Sequence, residues 1–303
     1  MNNFTISQLA QFSGVKAHTI RMWEQRHHSL QPHRTEGNTR YYDNQQLRRL
    51  LNIVSLQECG KKISELSSMS DQELFDLVKQ QNLSSLDSGD VNFQISQLLA
   101  AGMTYDSLYF EKVLAHCLLR YGMKNTYTEV VYPMLMRIGL LWATNELPPA
   151  QEHYITNFLR QKFYTAIDSL PPAQTKASSW LLFLPENEFH EIGLLFADYL
   201  LRLEGGRTLY LGANVPTDSV ASAVKDWQPE NLLFFMVHRD AAENVEKYLE
   251  SLQQLFPDIQ LNLACEPKLV QQVKVPPGLR LLHSVQELEQ MIRDRTNNTL
   301  EHV

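Results

Sequence analysis

Three periodicities of apolar and polar positions follow one another along the chain. Over the first 84 residues, apolar groups recur at helical spacing in short runs. Ile6, Leu9 and Ala10 share one face, and Leu47, Leu50, Leu51 and Val54 share another. Gly14 interrupts the first run and permits a tight turn, so a second short helix is expected to start near Lys16. Further helices are expected over 44–58, from about Ile63, and after Ser70-Asp-Gln-Glu73, which reads as a capping box. Residues 91–168 keep helical spacing almost throughout, from Leu98, Leu99, Met103 and Leu108 to Ile138, Leu141 and Trp142. This predicts four packed helices, with Pro148-Pro149 breaking the chain before the last. From Trp180 short apolar runs alternate with amphipathic helices, the runs lying at 180–184, 208–211, 232–237, 259–264 and 279–282. The intervening helices are expected over 191–203, 216–227, 241–255, 268–273 and 285–293, which predicts a doubly wound, five-stranded parallel sheet.

Two joints divide these regions. The polar stretch 82–90 and the proline-bearing stretch 170–179 suggest domains at 1–80, 88–169 and 177–296. Charge follows the same division. The chain carries −7 overall, yet residues 1–62 hold nine Lys or Arg against four Asp or Glu, leaving 18 basic against 30 acidic residues in the rest. A basic head on an acidic body fits a nucleic-acid contact confined to the head. No run of eighteen apolar residues occurs, the amino terminus shows no signal-peptide pattern, and the three cysteines have no paired spacing. A cytoplasmic protein without membrane spans, disulfide framework or zinc knuckle is expected.

The head carries the densest signal. Two short helices joined at a glycine turn form a helix-turn-helix, whose second helix enters a DNA major groove. Beyond it, Gly37 and Asn38 between Arg34 and Arg40 read as a hairpin turn with basic flanks. The Thr19-Ile-Arg-x-Trp-Glu24 core and the Arg40-Tyr-Tyr42 segment closely resemble the winged helix-turn-helix of the MerR family of bacterial transcription regulators, over about 70 residues. The resemblance implies a double-stranded DNA operator as partner. His18, Thr19, Arg21 and Arg26 would face the groove, with Arg34, Arg40 and Tyr41 at the wing. No nucleophile elbow, P-loop or metal-binding cysteine pair points to an enzyme.

In a doubly wound sheet, ligands bind beyond the carboxyl ends of the strands. The loop after the first strand reads Pro185-Glu-Asn-Glu188-Phe-His190-Glu-Ile-Gly193. A carboxylate two residues before a histidine can hold one imidazole nitrogen and present the other, and a glycine lets a flat ligand approach. Glu188-x-His190-x-x-Gly193 resembles the signature of cobalamin-binding domains, in which the histidine ligates cobalt from below. The four-helix segment resembles the helical cap of those domains, with Trp142 and Glu152-His153 implied over the upper face. The implied architecture is a winged helix-turn-helix, a cap bundle and a flavodoxin-like sheet that senses cobalamin (adenosylcobalamin or a related form), with light as a candidate signal and assembly into a homo-oligomer. The chain departs from the pattern at Ala143, beside the cap tryptophan, where light-sensing relatives place a histidine. It also departs at Phe234-Phe-Met-Val-His238 and at Ala264-Cys-Glu266, in the loops that surround the cofactor's nucleotide tail. Two alternatives therefore stand beside cobalamin sensing: a cofactor-free regulator that uses the fold for assembly, and a corrinoid methyl-transfer protein, which the DNA-binding head disfavours.

Overall fold

The computed structural model describes residues 4–34, 38–84, 91–142, 149–173, 177–237, 245–271 and 273–300. By packing, the chain forms two compact units, residues 1–157 and 158–303.

The first unit opens with helix α1 (Ile6–Ser13), capped by Thr5 in a box with Gln8, and ended by Gly14 at φ +71°. Helix α2 (Ala17–His27) follows at once. Strands β1 (His33–Arg34) and β2 (Arg40–Tyr41) pair antiparallel as the expected wing, and Phe4 bridges Tyr42 beside them. Gly37 lies outside the described residues; Asn38 takes φ +61°, the left-handed geometry of a tight turn. Helix α3 (Asn44–Glu58) starts where Asp43 accepts from the Gln46 amide, and α4 (Ile63–Ser67) and α5 (Asp71–Ser84) complete the head. The capping box at α5 forms in both directions: the Ser70 amide donates to Glu73, and the Glu73 amide to the Ser70 hydroxyl. Helix α5 runs to Ser84, three residues into the stretch read as a polar joint.

Four helices follow: α6 (Val91–Met103), α7 (Ser107–Asn125), α8 (Tyr132–Trp142) and α9 (Pro149–Asp168). Gly122 leaves helical geometry inside α7, and a π-helical turn (Thr126–Val131) joins α7 to α8. Leu108, read as a core position, is 82% exposed, because the buried stripe of α7 runs through Phe110, Val113, Leu114 and Cys117 instead. Residues 50–56 of α3 are buried on every side as the helix packs along α6. Inside that contact Gln97 donates to the Ser55 hydroxyl at 2.7 Å and accepts from the Tyr109 hydroxyl at 3.0 Å.

The second unit alternates strand and helix: β3 (Ser179–Pro185), α10 (Glu191–Leu203), β4 (Arg207–Val215), α11 (Thr217–Trp227), β5 (Asn231–Met236), α12 (Val245–Leu255), β6 (Gln260–Cys265), α13 (Pro267–Val270), β7 (Arg280–Leu282) and α14 (Val285–Leu300). All pairings are parallel, in the order β4-β3-β5-β6-β7. This is the flavodoxin-like winding, and its chain reversal falls between β3 and β5. On one sheet face Leu181, Phe183, Leu232, Phe234, Leu261 and Leu263 form a core with Val220 of α11 and Val245, Leu249 and Leu252 of α12. Helix α10 packs on β3 and β5 and against α14. Three elements differ clearly in length from the sequence reading: β4 extends to Val215 past a register shift opposite Phe183, α13 ends at Val270, and α14 runs on to Leu300.

Candidate functional site

In the head, α2 buries Ile20 and Trp23 and exposes His18, Arg21, Met22, Gln25 and Arg26. The face away from the core therefore carries the residues expected to meet DNA. Thr19 is half-buried, its hydroxyl 3.3 Å from His18 Nε2. At the wing, Arg34 donates to the Asn38 side chain at 2.5 Å, and Tyr41 stacks on His33 with ring centroids 5.2 Å apart. Arg40 is only partly available to a phosphate, since its Nε donates to Glu24 Oε1 at 3.0 Å. The other Glu24 oxygen accepts from the Tyr42 hydroxyl at 2.7 Å. Burial, then the Glu24 hydrogen bond and charge, push the Tyr42 hydroxyl far above its ordinary pKa. Glu24 thus ties the wing to α2, a role its place in the helical motif did not reveal. Arg49 also went unread: it donates to the carbonyls of Ser29, Ser67 and Met69 and to Asp71, closing the head from within.

The second candidate site lies at the carboxyl end of the sheet. After Pro185 the chain turns through Asn187 at φ +64°, whose amide donates to the side chain of Asn214, near the end of β4. The Asn214 amide returns a bond to the Glu188 carbonyl at 3.0 Å. Glu188 is fully buried. Its Oε1 accepts from the Phe189 and His190 amides and lies 2.6 Å from His190 Nδ1, while Oε2 accepts from the Val237 amide at 2.8 Å. One carboxylate therefore joins the ends of β3 and β5 across the chain reversal. A carboxylate oxygen can only accept, so Nδ1 carries the proton and Nε2 carries the lone pair that a metal needs. His190 begins α10, and its side chain is 38% exposed. Gly193 sits half-buried one turn on.

Beside this loop, the Glu191 carboxylate takes the Tyr210 hydroxyl at 2.9 Å and pairs with Arg160 at 2.9 Å. Burial, then the charge and hydrogen bond of Glu191, drive the Tyr210 hydroxyl well above its usual range. Glu152 and His153 lie on the first turn of α9, with His153 Nδ1 3.1 Å from Glu152 and His153 largely exposed. Trp142 closes α8; its side chain, Ala143 and His238 lie outside the described residues. His283, which sequence reasoning passed over, follows β7 with Nδ1 2.9 Å from the Cys265 carbonyl, three strands from His190 in the sheet order.

The tail-binding departures resolve differently from one another. Phe234 is fully buried and stacks on Phe183 at 5.4 Å, so its ring belongs to the core. Glu266 is exposed as the residue before α13, so its carboxylate does not fill the interior.

Comparison with known proteins bears on the head and on the helices that follow it. Residues 4–73 match the family model described as MerR HTH family regulatory protein. The head is a MerR-family DNA-binding domain. Residues 94–166 match the model for a B12 binding domain, from within α6 to within α9. The chain is 29% identical over 257 residues to the HTH-type transcriptional repressor CarH of Myxococcus xanthus, covering 84% of this chain and 85% of that one. It is 26% identical over 255 residues to the repressor CarA of the same organism, covering 81% and 80%. A monomethylamine corrinoid protein from Methanosarcina barkeri shares the fold, with a TM-score of 0.50 at 13% identity, over 65% of this chain and 95% of that one. The chain thus joins a MerR HTH domain to a B12-binding domain, the make-up of a DNA-binding transcription regulator that senses cobalamin. Among the described residues no helix is long and apolar enough to cross a membrane.

Proposed function

We propose that this regulator binds an operator through α2 and the wing, and that cobalamin at His190 governs the binding. The observation that carries the reading is the carboxylate–imidazole pair at the chain reversal, with its proton fixed on Nδ1 and the ring at the surface. These residues fit an imidazole-ligated cobalt. A bound cobalamin supplies a cobalt centre whose lower position an imidazole nitrogen can fill. The chain's own part is to orient that nitrogen: Glu188 holds the proton, and the Phe189, His190 and Val237 amides hold Glu188. Trp142, Glu152 and His153 are the candidates for the cofactor's upper face. Like the relatives that are named as repressors, the protein is proposed to repress, acting in the cytoplasm where its DNA lies. With adenosylcobalamin bound, light is a candidate signal. One winged helix contacts little DNA, so two or more copies are proposed to share a palindromic or repeated site.

The test is the visible spectrum of protein incubated with adenosylcobalamin in the dark and freed of excess ligand. Retained corrin absorbance, lost in His190→Ala and kept in His283→Ala, is the expected result. Gel-shift titrations with dark and illuminated samples then read the effect on operator affinity. A second reading, a cofactor-free regulator that keeps the fold for assembly, draws on the Phe183–Phe234 stack in the interior. Wild-type protein that retains no corrin would establish it. Light scattering reads the oligomer, and a monomer both with and without cobalamin and DNA would refute the paired-site proposal.

A further inference from the structure

The turn between α1 and α2 is met by a side chain from far along the chain. Gly14 closes α1 at φ +71° and leads through Val15 and Lys16 into α2, whose outer face carries His18, Arg21 and Arg26. Within the turn, the Ser13 hydroxyl donates to the Leu9 carbonyl and accepts from the Val15 amide. Over it lies Arg137 of α8. From the point that a Cβ on Gly14 would occupy, the Arg137 Nη2, Cζ and Nη1 atoms are 3.6, 3.7 and 3.9 Å away, so the guanidinium lies across the turn. Its Nη2 also donates to the Asn92 side chain at the start of α6, at 3.1 Å. Helix α1 packs on both α8 and α6. It has no basic residue in its own last turn, where the carbonyl ends of the peptide dipoles gather negative charge. Arg137 supplies that cation from α8.

We propose that Arg137 is a positioning residue for DNA reading: it fixes the angle at which α2 leaves α1, and through it α8 carries the state of the cobalamin site to the head. The second half of this rests on the cobalamin reading. Trp142, the candidate for the cofactor's upper face, closes the same helix five residues on, about 7 Å along its axis. A helix is stiff over that length, so a displacement of one end moves the other. A small tilt of α2 misplaces the side chains that read base edges, where hydrogen-bond geometry is strict. Contacts to phosphate carry no sequence information and come from long side chains that can follow the tilt.

The experiment uses full-length protein and a duplex that the wild type selects from a random-sequence pool, beside an unselected duplex of the same length. Arg137→Ala, Arg137→Lys and Asn92→Ala are compared with wild type, and Lys112→Ala, an exposed cation on α7, is the charge control. Thermal melts by circular dichroism check folding. Arg137→Ala should bind the selected duplex about tenfold more weakly, the size of one lost base contact, and the unselected duplex as wild type does. Arg137→Lys should recover part of the loss. Asn92→Ala, which removes only the guanidinium's neighbour, should show a smaller loss, and it decides the matter if Arg137→Ala melts early. The salt slope should stay that of wild type. Adenosylcobalamin added in the dark should shift the selected-duplex affinity of wild type more than that of Arg137→Ala, while absorbance titration without DNA shows that both bind corrin. Unchanged affinity for the selected duplex, or an equal loss on both duplexes, would overturn the positioning role. A salt slope reduced by about one phosphate would overturn it too, assigning Arg137 to DNA contact. An equal cobalamin effect in both proteins would overturn the route through α8 and leave the cobalamin reading standing. Wild type that takes up no corrin would overturn that reading and the route with it, and the two duplexes would still decide the positioning.

Discussion

Glu188 shows how much one residue can organise. Four N–H groups converge on its buried carboxylate, from the Phe189, His190 and Val237 amides and the His190 ring. Glu188→Gln keeps the shape but turns an acceptor pair into one acceptor and one donor, so at least one amide loses its partner. We expect a loss of about 1–3 kcal/mol in urea denaturation, together with weaker corrin binding. Unchanged stability would mean that water or another group satisfies those amides. In the head, Arg40→Ala has two expected effects. The salt slope of DNA binding should fall by about one phosphate contact. The head should also become less stable, because Glu24 loses one of the two groups that tie the wing to α2. A stability change with no change in salt slope would confine Arg40 to the structural role.

At the scale of elements, turns and caps carry the sharpest expectations. Gly206 sits where a Cβ would lie 2.9 Å from the Leu201 carbonyl oxygen of α10. Gly206→Ala must therefore shift the turn from α10 into β4, and is expected to lower the stability of the second unit by about 1–3 kcal/mol. The start of α5 is sensitive to acid. At Asp71, burial acts upward but is outweighed by hydrogen bonds from Gln45 and Arg49 and by the Arg49 and Arg48 charges, so its pKa falls below 3.8. Glu73 falls below 4.5 through the backbone and then the side-chain hydrogen bond to Ser70. Both folded values are depressed. Their stabilisation is therefore present above the ordinary carboxylate range and is lost as pH drops through the lowered values. Asp71→Asn should flatten the acid limb of the stability–pH curve; a curve of unchanged slope would remove Asp71 from it.

Across the whole molecule, the basic charge of residues 1–62 and the acidic balance of the remainder confine DNA contact to the head. The head is also joined to the helices that follow it. Residues 50–56 of α3 are buried along α6, and the Ser55–Gln97–Tyr109 bonds lie inside that contact. A fragment ending at Ser84 would leave part of this surface in water. It is expected to melt lower than the same helices within the full chain and to bind a hydrophobic dye. A fragment as stable as the full chain, with no dye binding, would show that the α3–α6 contact contributes little.

Most helix starts, the wing, the alternation of strand with helix and the pairing of Glu188 with His190 were legible in the sequence. The helices and the pair depend on neighbours within a few residues: α3 and α10 run over 44–58 and 191–203 as the periodicity predicts, and a carboxylate two positions from a histidine needs only a loop to meet it. What the tertiary structure alone decided joins residues far apart. The bond from Val237 to Glu188 spans 49 positions, and the one from Arg40 to Glu24 spans 16. The same holds for Phe234 in the core, Glu266 outside it and Leu108 on an open helix face. Spacing along the chain tells which side chains share a face. Only the packing of one face against another determines which of them leave water, and which distant donor a buried carboxylate finds.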